Sequence, residues 1–153
     1  GEFMKKFILG LFLILGAMSF AAPKFVDMTK VKNAGYVIKN EREDILTMAT
    51  SDDDSAIIIS FSTANISSKE ISDLLKSNAL RDSGNFIATL DNNRAYINEF
   101  EAQGFYSYMI VPKKEKVKNQ HTYATYVSSK KLSKNDLSKI TNAILDEAES
   151  YIK

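Results

Sequence analysis

The sequence contains no cysteine, one histidine and six glycines among its 153 residues. Without cysteine the chain can form no disulfide, offers no thiol nucleophile and has no site for lipoprotein acylation. A lone histidine also argues against a structural zinc site. Half of the glycines, Gly1, Gly10 and Gly16, precede residue 22, so the remainder holds no glycine-rich phosphate loop. The core must therefore hold by packing alone.

The N-terminal segment has the order of a secretory signal peptide. Residues 1–3 precede a plausible start methionine and are interpreted as an expression scar. Within residues 4–21, two lysines are followed by an apolar run from Phe7 to Met18 and then by small residues. Cleavage after Ala21 is expected, and the run is shorter than the roughly 18 residues of a membrane-spanning helix. We predict a periplasmic or secreted protein with no stable membrane span after cleavage.

Residues 22–153 are long enough for a single domain with a hydrophobic core. Removing Glu2, Lys5 and Lys6 from the totals of 19 acidic and 20 basic residues leaves 18 of each. A neutral chain has no overall electrostatic attraction to nucleic acid or to anionic membranes. We therefore expect no nucleic-acid partner.

Two helix starts share one capping pattern. Ser67 is followed three residues later by Glu70, and Ser133 is followed at the same spacing by Asp136. The first helix is predicted from Ser68 to about Leu80. The second is predicted from about Lys134 to the end of the chain, because apolar residues recur there at helical spacing. Its stripe comprises Leu137, Ile140, Ile144, Leu145, Ala148 and Ile152. The first helix carries a narrower stripe of Ile71, Leu74 and Leu75, and both stripes are interpreted as core faces.

The rest of the chain reads as strands. A hairpin is predicted for residues 44–50 and 56–63, which flank a polar turn. A short strand is predicted for residues 86–90. A three-stranded antiparallel meander is predicted for residues 94–101, 104–111 and 122–128. Tyr36 to Ile38 is expected to open the sheet. The uninterrupted run Ile57 to Ile59 favours a central strand that is covered on both faces. The predicted fold class is α+β, an antiparallel sheet of five to seven strands packed by two helices, the C-terminal one long and amphipathic.

This order carries a resemblance to a known fold. The features are Gly35-Tyr36-Val37-Ile38 near the start, a helix after an Ile-rich strand, aromatic strands around Ala95-Tyr96 and Thr122–Tyr126, and an amphipathic C-terminal helix. Over most of residues 35–153 the chain resembles the PsbP-like fold of photosystem oxygen-evolving subunits, a nuclear Ran-binding protein and small bacterial envelope proteins. The resemblance implies a non-catalytic binding or assembly role and transfers no site residue. Cystatin-like folds share a helix on an antiparallel sheet and remain an alternative.

The candidate partner surface combines tyrosines with a lysine-rich loop. Tyr106 and Tyr108 share one face of their strand, opposite Phe105 and Met109. If both helices cover one side of the sheet, the tyrosines would lie on the open side, where Tyr suits protein or glycan interfaces. The adjoining loop carries four lysines: Lys113, Lys114, Lys116 and Lys118. The alternatives are aromatic packing inside the core and a merely solvated loop.

Other candidates are weaker. His121 has no neighbouring nucleophile motif and is interpreted as a surface residue at a strand start. Asp52 to Asp54 lack the ligand spacing of a calcium-binding loop and are interpreted as a charged turn. The sequence therefore predicts a non-catalytic binding or assembly module of the bacterial envelope, without cofactor, that takes a protein or glycan partner. A host-directed secreted or surface-associated factor and a small hydrolase or inhibitor are the alternatives.

Overall fold

A computed structural model describes residues 22–82 and 84–153; the predicted scar and signal peptide, residues 1–21, lie outside the described part. The elements in chain order are α1 Met28–Asn33, β1 Val37–Arg42, β2 Ile45–Ser51, β3 Ser55–Thr63, α2 Ser68–Arg81, β4 Asn85–Thr89, β5 Ala95–Ala102, β6 Phe105–Pro112, β7 Gln120–Ser128 and α3 Lys134–Ser150. Seven strands form one antiparallel sheet in the order β1-β2-β3-β7-β6-β5-β4. The predicted α+β class, strand number and long C-terminal helix are confirmed.

The central strands follow from local sequence. Ile58 and Ile59 are 6% and 0% exposed although adjacent strand residues point to opposite faces, so β3 is covered on both sides as predicted. The hairpin between β5 and β6 turns at Gln103 and Gly104, whose φ angles are 53° and 83°. Positive φ at both central residues is the geometry of a type I′ turn, which matches the twist of paired strands.

The two long helices lie on opposite faces of the sheet. Ser72 of α2 accepts a hydrogen bond at 3.2 Å from the side-chain amide of Asn98 on β5. The preceding residue, Ile97, points the other way and belongs to the core cluster that includes Leu137 of α3. Of the two arrangements that the sequence left open, the structure therefore has the helices on opposite faces. The predicted core stripe of α2 is only partly right, because Ile71 is buried but Leu74 is 54% exposed. Neither side of β5 and β6 is left as an open face.

The larger core lies between α3 and the sheet. Leu137, Ile144 and Leu145 are buried there, as the helical spacing predicts, while Ile140 is partly buried. These side chains pack against one face of β2, β3, β7, β6 and β5, which contributes Leu46, Met48, Ile59, Phe61, Ala124, Tyr108, Ile110, Ala95 and Ile97. This burial supplies most of the apolar area removed from water.

The segment before β1, whose structure the sequence left unclear, is attached to α3. Asp27 caps the short helix α1 by accepting a hydrogen bond from the backbone of Lys30. The hydroxyls of Tyr36 and Tyr151 donate to the two oxygens of Glu147 at 2.8 and 2.9 Å. Burial and the Glu147 carboxylate raise the pKa of Tyr36 well above its usual range and that of Tyr151 to about 12. Both hydroxyls therefore remain protonated donors above pH 10, where an unperturbed tyrosine ionises.

The capping pattern at α2 is confirmed. The Ser67 hydroxyl accepts from the backbone of Glu70 at 3.1 Å, and the Glu70 carboxylate accepts from the backbone of Ser67 at 2.7 Å. At α3 the Ser133 hydroxyl accepts from the backbone of Asp136. Among the described residues, none of the helices combines the length and apolar character that crossing a membrane requires.

Candidate binding surface

The structure places the two predicted surface tyrosines on the α3 face of the sheet. Tyr108 is 0% exposed and belongs to the large core, and Tyr106 is partly buried against it. The Tyr108 hydroxyl accepts a hydrogen bond from the backbone of Leu132 at 2.8 Å. A partner cannot reach Tyr108, so the predicted open tyrosine face is wrong. The reason is that α2 and α3 divide the two faces of β6 between them.

A buried carboxylate lies beside Tyr108. The Glu99 side chain is 2% exposed, and its Oε1 is 3.7 Å from the ammonium group of Lys131. Its Oε2 has no hydrogen-bond partner among the described residues. Burial above all, and the Glu99 carboxylate in addition, raise the pKa of Tyr108 well above its usual range, although the bond from the Leu132 backbone works in the other direction. A half-satisfied buried charge costs stability, because water no longer solvates it.

We expect Glu99→Gln to raise the free energy of unfolding by about 1 kcal/mol at neutral pH, because the amide keeps the shape and removes the buried charge. Lys131→Met should lower that free energy by a similar amount, since it leaves the carboxylate without its cation. Urea denaturation of the two variants measures both changes. If both variants lose stability equally, the Glu99–Lys131 pair is a net stabilising interaction and the expectation fails.

The lysine-rich loop between β6 and β7 is held in a defined shape. Its Glu115 carboxylate accepts from the backbone of Asn119 at 2.9 Å, and the Asn119 carbonyl accepts from the backbone of Ala64 at 3.0 Å. His121 lies beneath the loop, 4% exposed, with Nε2 3.0 Å from the Ala64 carbonyl oxygen and Nδ1 3.9 Å from Glu115. The prediction of a surface histidine is therefore wrong. The loop projects its lysines from a fixed base.

Two lysines converge on one aromatic ring. The ammonium group of Lys113 lies 5.3 Å from the centroid of the Tyr96 ring, and that of Lys69, from the first turn of α2, lies 5.6 Å from it. Both distances are within the range of cation–π attraction. Lys69 also forms an exposed ion pair with Asp73 at 2.6 Å. A β-strand, a loop and a helix start thus bring two cations to one place.

The other loop lysines differ in their partners. Lys114 and Lys118 are exposed, whereas the ammonium group of Lys116 is 2.9 Å from the Glu149 carboxylate of α3. We define the lysine platform as Lys69, Lys113, Lys114 and Lys118 with the Tyr96 ring. Three of the six predicted surface residues, Lys113, Lys114 and Lys118, therefore belong to the platform. Lys116 is paired with Glu149 instead, and the two tyrosines lie on the α3 side of the sheet.

Sequence reasoning missed Lys69 and Tyr96. Lys69 looks like an ordinary first-turn residue next to the capping serine, 44 positions before Lys113 in the chain numbering. Tyr96 was interpreted only as part of the aromatic meander. Their meeting depends on α2 packing over β5 and β6, which no local pattern reveals. Strand alternation places Tyr96 and Asn98 on the same face of β5, but it does not tell which helix covers that face.

The aspartate turn is structural, as predicted. The Asp52 carboxylate accepts from the backbones of Asp54 and Ser55 at 2.9 and 2.8 Å, and these bonds lower its pKa. In the described ranges, no cluster of three or more histidine, aspartate or glutamate residues is placed to hold a metal ion.

Two depressions accompany these features. A cavity of about 50 Å³ lies at the base of the lysine-rich loop, beside His121 and Val111. A wider open groove of about 450 Å³ separates the turn after β4 from the first turn of α3. The Asp91 and Asn92 side chains in this groove stabilise the turn before β5. Asp91 accepts a hydrogen bond from the backbone of Ile97, and Asn92 accepts hydrogen bonds from the backbones of Arg94 and Ala95.

No family model, no curated protein and no solved structure matches this chain. The resemblance to the PsbP-like fold accordingly stays a prediction.

Proposed function

We propose that this chain is an exported, non-catalytic binding or assembly module of the bacterial envelope, and that its lysine platform takes an acidic protein or glycan. The observation that carries the proposal is the convergence of Lys69 and Lys113 on Tyr96. The signal-peptide pattern of residues 4–21 supports the exported location.

The charge distribution supports an acidic partner. The chain after residue 21 is neutral overall, yet Lys113, Lys114 and Lys118 come from one short loop, and Lys69 at the start of α2 approaches the same Tyr96 ring as Lys113. A local positive patch on a neutral protein steers a partner to that patch rather than to the whole surface. The neighbouring carboxylates of Asp73 and Glu149 engage Lys69 and Lys116, so Lys113, Lys114 and Lys118 carry the least compensated charge among these lysines.

The Tyr96 ring attracts the ammonium groups of Lys69 and Lys113 and also restricts where they lie. Its flat face keeps two flexible lysine side chains near one point, so part of their conformational entropy is lost before a partner arrives. Pre-organised groups bind with less cost than groups that must be ordered in the complex. The Lys69 and Lys113 pair is therefore better prepared for an acidic group than two independent surface lysines.

The test measures binding of the processed protein to two labelled probes, a poly-glutamate peptide and the acidic polysaccharide alginate, by fluorescence anisotropy. We expect at least one probe to bind, with an affinity that falls as salt is added, because exposed charges are screened. Lys69→Gln with Lys113→Gln should weaken that binding about tenfold, which corresponds to about 1.4 kcal/mol.

The matched control removes two positive charges elsewhere. Lys134→Gln with Lys139→Gln changes exposed residues of α3, away from Tyr96, and should leave the affinity within about twofold. If neither probe binds at low salt, or if both double variants weaken binding equally, the platform is not the binding site. Capture from envelope fractions with the same variants then identifies the natural partner.

A further inference from the structure

The two edges of the sheet differ in chemistry. β1 forms one edge, and Lys39, Glu41 and Arg42 give it charges of both signs. β4 forms the other edge, and its residues Asn85–Thr89 carry no charge. Among the described residues each edge strand pairs on one side only, so its other side presents backbone N–H and C=O groups to a further strand. Charged residues protect such edges against pairing, and β4 lacks them.

Exposed apolar side chains line the β4 edge. Phe86 is 39% exposed and Ile87 37% exposed on the strand itself. Leu80, 49% exposed, lies near the end of α2, one helical turn after Lys76. The ammonium group of Lys76 is 4.0 Å from the centroid of the Phe86 ring, so this side of the helix faces the strand. The three side chains border one edge.

The edge is held in place within the domain. The Phe86 ring packs edge-to-face on Phe100 of β5, with ring centroids 5.5 Å apart. The side-chain hydroxyl of Thr89 donates to the Asn98 side chain at 3.1 Å. The pairing register shifts between Phe86 and Ala88, where Ile87 is the extra residue. A fixed strand with open backbone groups is a template for another strand.

We propose that β4 pairs antiparallel with β4 of a second copy of this chain, so that one sheet runs through a two-fold symmetric dimer. Unpaired backbone groups select an extended strand as the occupant. Because no residue of β4 is charged, its own copy can oppose it without a like-charge contact within the strands, which a pair of β1 edges would not guarantee. The two-fold axis also brings Leu80 and Phe86 of one protomer towards those of its partner.

The dimer has a consequence for the lysine platform, although it does not rest on the proposed function. Each protomer carries one platform at the start of α2, and β4 follows the end of that helix. Two platforms on one particle could engage a repeating acidic partner at two points, which raises apparent affinity through effective concentration.

The test is sedimentation equilibrium of the processed protein from low micromolar to near-millimolar concentration. We expect a monomer–dimer equilibrium, and Ile87→Lys should raise its dissociation constant at least about tenfold by placing like charges across the strand pair. The matched control is Val37→Lys at the β1 edge, which is 56% exposed and should leave the equilibrium unchanged.

A second variant tests the dimer if Ile87→Lys disturbs β4 itself at the position where its pairing register shifts. Leu80→Lys changes an exposed helix residue, leaves the strand untouched and should also weaken the dimer. Circular dichroism confirms that each variant is folded. A protein that stays monomeric over the whole range overturns the proposal, as does a dimer whose dissociation constant both β4-side variants leave unchanged.

Discussion

Replacing Ile144 by alanine is expected to lower the free energy of unfolding by roughly 2–5 kcal/mol, the range for emptying a packed aliphatic site. Ile144 is 3% exposed and lies between the buried Leu137 and Ala148 on the same face of α3. The loss combines the transfer of the side chain out of water with the cavity left in the core. Urea denaturation of the purified protein measures it.

The control for this prediction is Lys139→Ala on the exposed side of the same helix. It keeps helix propensity high and removes no buried contact, so the change should stay within about 0.5 kcal/mol. An Ile144→Ala variant as stable as this control would mean that the apolar stripe of α3 faces solvent. The packing of α3 on the sheet would then be wrong.

Tyr108→Ala should cost roughly 3–5 kcal/mol, because it removes an aromatic ring from the centre of the α3 core. Tyr108→Phe separates the ring from its hydroxyl. It should cost about 1–3 kcal/mol, since the partly buried Leu132 backbone N–H loses its acceptor. Thermal and urea unfolding of the two variants give both values.

The matched comparison is Tyr106→Phe, which changes the same residue type two positions earlier on the same face of β6. Tyr106 is only partly buried, so loss of its hydroxyl should cost less than the loss at Tyr108. If Tyr108→Ala folds with nearly unchanged stability, the ring is accessible and the tyrosine face remains a candidate partner surface. The expected loss instead directs the search to the lysine platform.

Much of the architecture follows from local patterns. Ser67 with Glu70, and Ser133 with Asp136, mark the starts of α2 and α3, because capping depends on residues only three positions apart. The α3 stripe follows from helical periodicity. The polar turn after β2 and the alternation along β5 and β6 likewise predict the strands and their antiparallel order.

The candidate site was predicted only in part. The loop lysines Lys113, Lys114 and Lys118 are visible as a charge run, since a run is a local property. The role of Lys69 cannot be seen in the sequence. It arises because α2 packs over β5 and brings the first turn of the helix to Tyr96. The burial of His121 similarly results from the loop that folds over it.

The sequence by itself determined the two long helices and the strands, and which residues along each strand share a face, whereas the short helix α1 was not predicted. Only the tertiary structure decided which face each helix covers, and with it the burial of Tyr108 and the assembly of the lysine platform. The physical reason is that strand alternation defines two faces without labelling either as inner or outer. That choice is made by long-range packing, in which α3 buries its apolar stripe against one side of the sheet. On the other side α2 packs through Ile71 and Ser72, and its Leu74 stays exposed.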